Sequence, residues 1–264
     1  MDMDEETYRR LLWELREQIN TLFSANHLLT PLVRERGVQR DLDCLAMSDQ
    51  ALYRLMRTIQ HLEFVHGSTP ILQSQLIDVA QPCRRLGESL EHIAADLKVD
   101  FSWSVDSGDY STMADPLLLE QALLNLLTNA IQAAGEGGKV WLRAALSGGS
   151  ILLTVEDNGP GMGADPQLSA TSWADPFLKT PGGVGLGMDM VKKIARLHKG
   201  TVMWHDRAGG GLSVTLSLPQ TPPSQPSEIV KTPLRSDLTG GFPLLLVELS
   251  PLLPLEQFMP ENLD

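Results

Sequence analysis

Cysteine is scarce: the 264 residues hold two, Cys44 and Cys83. They lie in different expected elements without partners at metal-ligand spacing, which disfavours a disulfide framework or a zinc cluster. Positive charge is also short, with 21 Lys and Arg against 33 Asp and Glu for a net charge of −12. A chain this acidic has no bulk electrostatic reason to bind nucleic acid or anionic lipid. A few backbone N–H groups and one metal ion can still hold phosphates locally. No apolar run reaches the ~18 residues that a membrane helix needs, so no membrane insertion is expected. The acidic start, MDMDEETYRR, lacks the basic-then-apolar order of a signal peptide, and a cytoplasmic protein is expected. Glycine and proline are nearly absent from the first 66 residues, which hold only Gly37 and Pro31.

What is present is globular in character: 42% apolar and 20% charged residues. Sixteen of the 22 glycines fall between Gly135 and Gly211, and nine of the 17 prolines fall from Pro219 onward. This divides the chain into a helical start (1–67), a glycine-rich middle (68–219) and a proline-punctuated linker and apolar extension (220–264). In the start, Tyr8, Leu15, Leu22 and Leu29 recur every seven residues, and Leu12, Ile19, Asn26 and Val33 follow four behind. That is a heptad seam with one polar interruption, Asn26. A second helical pattern, from about Asp41 to Val65, turns Leu45, Leu52, Leu55, Ile59 and Leu62 inward. Two such helices make an antiparallel hairpin, and its unpaired apolar stripe predicts a homodimer built as a four-helix bundle. The alternative is a hairpin that packs only on its own second domain.

The middle mixes periods. Strands are expected at Ile71–Ile77, Val99–Val105, Ser111–Ala114, Val140–Ala145, Ile151–Glu156, Thr201–His205 and Leu212–Leu218, and helices at Val79–Leu97, Pro116–Ala134 and Leu186–His198. The fold class is therefore α+β, a helical hairpin followed by a two-layer α/β sandwich. In the tail, Phe242–Leu249 has strand-like apolar content.

Four local patterns carry chemistry. Asn125 and Asn129 lie one turn apart on one helix face, where amide carbonyls can hold a hard divalent ion; taken alone they also read as two satisfied polar groups. Asp157-Asn158-Gly159-Pro160-Gly161 follows a strand, so a carboxylate can accept from a base amino group while backbone approaches closely, although it is equally a turn sequence. Asp175-Pro176-Phe177 is a short turn. Gly183-Val184-Gly185-Leu186-Gly187 opens a helix, where backbone N–H groups and the helix dipole favour phosphate.

In this order, the patterns resemble the N box, first glycine box, F box and second glycine box of sensor histidine kinase ATP-binding domains, within the superfamily that includes gyrase and a chaperone ATPase. The similarity spans about Ser68 to Pro219. It implies ATP and Mg²⁺ as cofactors. Asp157 would read the adenine amino group, with Gly159 and Gly161 letting the base pack close. Asn129 would hold Mg²⁺ with Asn125 beside it. Phe177 would lie beside the lid, Gly183, Gly185 and Gly187 would close it over the phosphates, and Lys179 could reach one. The hydrolysing branch has a glutamate where this chain has Asn125, and an amide cannot take a proton from water, so ATP hydrolysis is expected to be low.

One departure matters. The family's His-acid-x-x-Thr/Asn-Pro motif aligns with Asn26-His27-Leu28-Leu29-Thr30-Pro31. The phosphoacceptor position is an amide, and the imidazole, His27, comes one residue late, about 100° round the helix. His27 lies off the seam and should face solvent as a possible acceptor; His61 and His66 read as solvated or capping groups, and His92, His198 and His205 as structural. Two readings follow. One is a cytoplasmic histidine kinase passing the γ-phosphoryl to His27 and then to a response-regulator receiver domain. The other is a degenerate, non-transferring nucleotide-binding dimer that regulates a partner through its hairpin. A serine kinase of the anti-sigma type, which usually lacks such a hairpin, is a third.

Overall fold

Two long helices open the chain in a computed structural model that describes residues 5–67, 70–161, 186–222 and 242–263. Its described residues belong to two units, one taking in Met1–Pro70 with Thr239–Asp264 and the other Ile71–Leu238. The C-terminal extension thus groups with the hairpin.

Helix α1 (Glu5–Arg36) ends at Gly37, whose φ of +64° is the left-handed stop a glycine tolerates best. Helix α2 (Gln39–His66) returns antiparallel. Leu12 and Ile19 of the second heptad series are buried, together with Leu45, Leu52 and Ile59 of α2. The polar interruption is satisfied: Asn26 Nδ2 donates to Ser48 Oγ (2.9 Å) and to Asp49 Oδ1 (2.8 Å). In the other series Tyr8 is half-buried, whereas the three leucines are exposed among the described residues. Leu15, Leu22 and Leu29 are 42%, 52% and 47% exposed. Leu55, expected inward, is also exposed, because only part of the α2 apolar arc meets α1.

The extension differs from expectation. Phe242–Leu249 is not a strand: Leu244–Leu249 forms helix α6, followed by a 3-10 turn (Leu255–Phe258) and a short α7 (Pro260–Leu263). A continuous apolar run has no period, so strand and buried helix look alike in sequence. Here Pro243 sits at the N-cap, and Leu244, Val247 and Leu249 are buried with Phe258. Four α2 side chains at one face's spacing hold the segment. Gln50 Nε2 donates to the Leu253 carbonyl (2.8 Å), Arg54 Nε to the Ser250 carbonyl (3.1 Å), and Arg57 Nε to Glu248 Oε2 (3.0 Å). His61 Nε2 lies 3.0 and 3.1 Å from the two Glu248 oxygens. His61 is therefore buried and paired rather than solvated, since the acid that meets it comes from the far end of the chain.

The second unit is a two-layer sandwich. Strands β2 (Asp100–Val105), β4 (Lys139–Ser147), β5 (Ser150–Asp157), β6 (Thr201–Asp206) and β7 (Leu212–Pro219) form a sheet in the order β2-β4-β5-β7-β6. The β2–β4 pair is parallel and the others antiparallel. A small antiparallel pair, β1 (Gln75–Asp78) with β3 (Ser111–Ala114), lies apart. Helices α3 (Ala80–Asp96), α4 (Pro116–Ala134) and α5 (Leu186–Leu197) pack on the sheet. Burial alternates along β5, with Ile151, Leu153, Val155 and Asp157 inward. That alternation carries a carboxylate to the end of an apolar row.

Helix α4 is apolar on most sides, and its start is fixed by hydrogen bonds. Asp115 caps it, accepting from Leu117 N (3.1 Å) and Leu118 N (3.3 Å), and Pro116 occupies the first helical position, where no N–H is needed. Asp115 N donates to His198 Nε2 (2.9 Å), and His198 Nδ1 bonds the Ile194 carbonyl (2.8 Å). His198 thus ties α4 to the end of α5, the structural role its sequence suggested.

Candidate functional site

Asp157 ends β5 and is 4% exposed. Its Oδ1 accepts from Gly159 N (2.8 Å) and Leu212 N (3.3 Å), which fixes the carboxylate plane. Oδ2 has no hydrogen bond among the described residues and remains the acceptor able to read an exocyclic amino group. Burial pushes this carboxyl above its ordinary range, against the lowering by the two backbone N–H groups and Arg207.

The glycines around it are needed for space. A Cβ on Gly159 would collide with the Ala133 carbonyl oxygen at the end of α4. One on Gly211, at φ +95°, would collide with the Asp157 carbonyl. Gly161 has φ +74° and would place its Cβ 2.8 Å from Asp206 Oδ1. The loop after β5, the end of α4 and the β6–β7 turn therefore approach one another too closely for a Cβ at Gly159 or Gly211.

Asn125 is fully buried on α4, whereas Asn129 is exposed. Asn129 Nδ2 donates to Asn125 Oδ1 (3.2 Å), which leaves Asn129 Oδ1 as the outer oxygen of the pair. An exposed amide oxygen of this kind is the hard donor that Mg²⁺ prefers, and Asn125 is hydrogen-bonded beside it. Gly187 lies in the first turn of α5, where a Cβ would stand 2.5 Å from Asn125 Oδ1. Phe177, Lys179, Gly183 and Gly185 lie outside the described residues.

Sequence reasoning missed Arg207. Its Nη1 donates to the Asp157 carbonyl (2.7 Å), its Nη2 lies 3.5 Å from Glu156 Oε2, and its guanidinium stacks 4.5 Å from the Trp141 ring centroid. Only the glycine run behind it marked that turn.

On α1, Asn26 is held by α2, as described, and His27 is exposed as expected. Pro31 has no N–H for the His27 carbonyl, and beside it Thr30 Oγ1 donates to the Asn26 carbonyl (3.0 Å). The sequence supplies no carboxylate directly after His27; the fold supplies one from α2. Asp49 is 6% exposed and close enough to His27 to interact electrostatically. Burial pushes its carboxyl up, offset by the Asn26 hydrogen bond and the His27 charge. Two helix turns on different elements could not be matched from spacing alone.

Among the described residues no helix is long and apolar enough to cross a membrane. Residues 114–222 match the family described as histidine kinase-, DNA gyrase B- and HSP90-like ATPases. The chain is 29% identical over 170 residues to the C4-dicarboxylate transport sensor protein DctS of Rhodobacter capsulatus, covering 62% of this chain and 25% of DctS. It is 42% identical over 107 residues to the sensor histidine kinase ZraS of Escherichia coli (strain K12), covering 40% of this chain and 22% of ZraS. The chain thus spans a quarter or less of these two relatives. In fold it is similar to full-length ShkA in complex with AMPPNP, with a TM-score of 0.62 at 23% identity over 82% of this chain and 46% of that one. Residues 114–222 are thus similar to the ATP-binding domains of sensor histidine kinases, and a helical hairpin precedes them in the chain.

Proposed function

We propose that this chain is a cytoplasmic two-component-type histidine kinase that binds ATP with Mg²⁺ and transfers the γ-phosphoryl to His27, then to a response-regulator receiver domain. The observation that carries the reading is the buried Asp157 carboxylate, fixed through Oδ1 by two backbone N–H groups and flanked by glycines where any Cβ would clash. It offers one acceptor, Oδ2, to the adenine amino group. Asn129 Oδ1, oriented by Asn125, would hold Mg²⁺, which neutralises phosphate charge. The lid glycines Gly183, Gly185 and Gly187 and the Lys179 ammonium would cover the phosphates, with Phe177 beside them.

Transfer breaks the bond between the γ-phosphorus and the bridging oxygen, releases ADP and forms a nitrogen–phosphorus bond on the His27 ring. The ring becomes cationic as the bond forms, and the Asp49 carboxylate stands near enough to stabilise it. The chain acts as a homodimer, because the exposed leucines at 15, 22 and 29 form one stripe at seven-residue spacing that a second copy can cover.

A second reading is a non-transferring nucleotide-binding dimer that regulates a partner through its hairpin. It is favoured by Asn26, which fills the usual acceptor position and is tied to Ser48 and Asp49. Incubation with γ-labelled ATP and Mg²⁺ separates the two. Acid-labile, alkali-stable label, lost in His27→Ala, supports transfer. Calorimetric ATP binding without label on the protein refutes it and leaves the second reading. No nucleotide uptake, and no effect of Asp157→Ala, refutes both.

A further inference from the structure

The turn between β6 and β7 grips Asp157 twice. Leu212, the first residue after the turn, donates its N–H to the carboxylate Oδ1 (3.3 Å), and Arg207, the residue that opens the turn, donates Nη1 to the Asp157 carbonyl (2.7 Å). The turn closes through Arg207 N to the Gly211 carbonyl (2.9 Å) and Gly210 N to the Arg207 carbonyl (3.1 Å). Its other residues, Ala208, Gly209, Gly210 and Gly211, carry no polar side chain, and the three glycines sit at φ +102°, +101° and +95°. Such a run has many conformations of similar energy, so its shape depends on what holds it from outside. The Arg207 guanidinium is such a hold. Besides the Asp157 carbonyl it meets Glu156 Oε2 of β5 (3.5 Å) and stacks on the Trp141 ring of β4 (4.5 Å to the centroid). A planar guanidinium can make all three contacts at once, and an ammonium cannot.

Arg207 works from the far face of the sheet. Trp141 and Glu156 are a register pair, and they alternate with the inward pair Val140 and Asp157. The guanidinium therefore acts on the Asp157 main chain and not on a base at its carboxylate. Without it the Asp157 carbonyl loses a donor, the Leu212 N–H is free to drift with the turn, and the carboxylate plane turns with that donor. We propose that Arg207 is a positioning residue for base recognition: by fixing the Asp157 main chain it holds the carboxylate in the one orientation that accepts from a 6-amino purine, and so sets the preference for that base. This rests on the reading of Asp157 as the adenine acceptor.

The test uses the full chain with Mg²⁺ and compares, by calorimetry, ATP with purine riboside 5′-triphosphate, which lacks only the 6-amino group. The ratio of the two affinities cancels changes on the phosphate side and in overall stability. The parent should favour ATP at least about tenfold, the worth of a hydrogen bond to a charged acceptor. Arg207→Met should cut that ratio at least about threefold, with the loss on ATP. Trp141→Leu, which removes the ring under the guanidinium, should move the ratio the same way, so the claim stays testable if Arg207→Met misfolds. The acid limb of ATP affinity is a second readout. Arg207 holds the Asp157 carboxyl down and Glu156 pushes it up, while Lys139 of β4 pairs with Asp100 (3.4 Å) and Asp206 of β6 stands beside Gly161. Arg207→Met should therefore move the limb to higher pH. Arg207→Lys keeps the charge without the planar fork, so it should restore the limb and leave the ratio reduced. Arg143→Met, on the same strand as Trp141 and paired with Asp106, should change neither. A parent without selectivity, or a ratio unmoved by Asp157→Ala, would remove the adenine reading and this proposal with it. A selective parent whose ratio stays within about twofold in both Arg207→Met and Trp141→Leu would overturn the proposal alone.

Discussion

Glu248 is the residue whose removal should be felt most in the hairpin unit. Its side chain is 0% exposed, against 16% for Arg57 and 4% for His61, so three polar groups meet almost out of water. Replacing it with glutamine keeps the volume and removes the charge that both partners face. Breaking a buried pair by removing one partner costs about 3–5 kcal/mol, because the other charge is left uncompensated. Arg57 retains some access to water, which places the loss near the lower end, about 3 kcal/mol. That corresponds to roughly a hundredfold rise in the opened population. Hydrogen exchange read peptide by peptide is the right assay, since a two-unit chain has no single melting curve. Amides of α6 and of the second half of α2 should exchange about a hundredfold faster in Glu248→Gln, with those of β4 and β5 unchanged. Exchange within twofold of the parent would refute the claim that this cluster anchors the extension. The pH dependence has a definite sign. Burial alone would raise the Glu248 pKa, but His61 and Arg57 outweigh it and hold the carboxyl below the ordinary glutamate value of 4.5. The folded state therefore binds this proton less tightly than the unfolded chain. The stabilisation is fully present above about pH 4.5 and is lost as pH falls through the lowered folded value.

Three further outcomes are expected. Gly211→Ala should destabilise the second unit by at least about 1–3 kcal/mol, since the new Cβ meets the Asp157 carbonyl at a positive φ; thermal unfolding followed at the strand peptides checks it. Leu22→Lys, with or without Leu15→Lys, should convert the chain to monomer in sedimentation equilibrium while nucleotide binding persists; a dimer that survives both changes would place the interface elsewhere. Because burial raises the Asp157 pKa, ATP affinity should begin to fall at a higher pH than for an ordinary carboxylate of 3.8. Asp157→Asn should remove that acid limb, and a limb that persists in the variant would assign it to another group.

The elements of the second unit were largely legible from sequence because each carried its own period. β5 alternates, α4 is an apolar run long enough to exclude a strand, and glycines sit where chains must approach closely. The motifs were legible for the same reason: their chemistry is local, four or five residues apart on one turn or loop. What sequence could not supply were the pairings between distant elements. Asp49 lies beside His27 and Asn26 only because α2 folds back on α1 in one register. Arg207, just after β6, donates to the carbonyl of Asp157, 50 residues earlier at the end of β5.

The extension shows the division most clearly. Its apolar content was evident, but a run such as Leu-Leu-Leu-Val does not distinguish strand from helix, and nothing local to His61 announces a partner 187 positions on. By itself the sequence determined the heptad hairpin, the alternation of the sandwich and the order of nucleotide-site motifs, because these follow from side-chain period and backbone freedom. Tertiary structure alone decided which buried charges meet, which leucine stripe stays uncovered and where the C-terminal segment rests. Those depend on contacts whose free energy exists only once the chain has closed on itself.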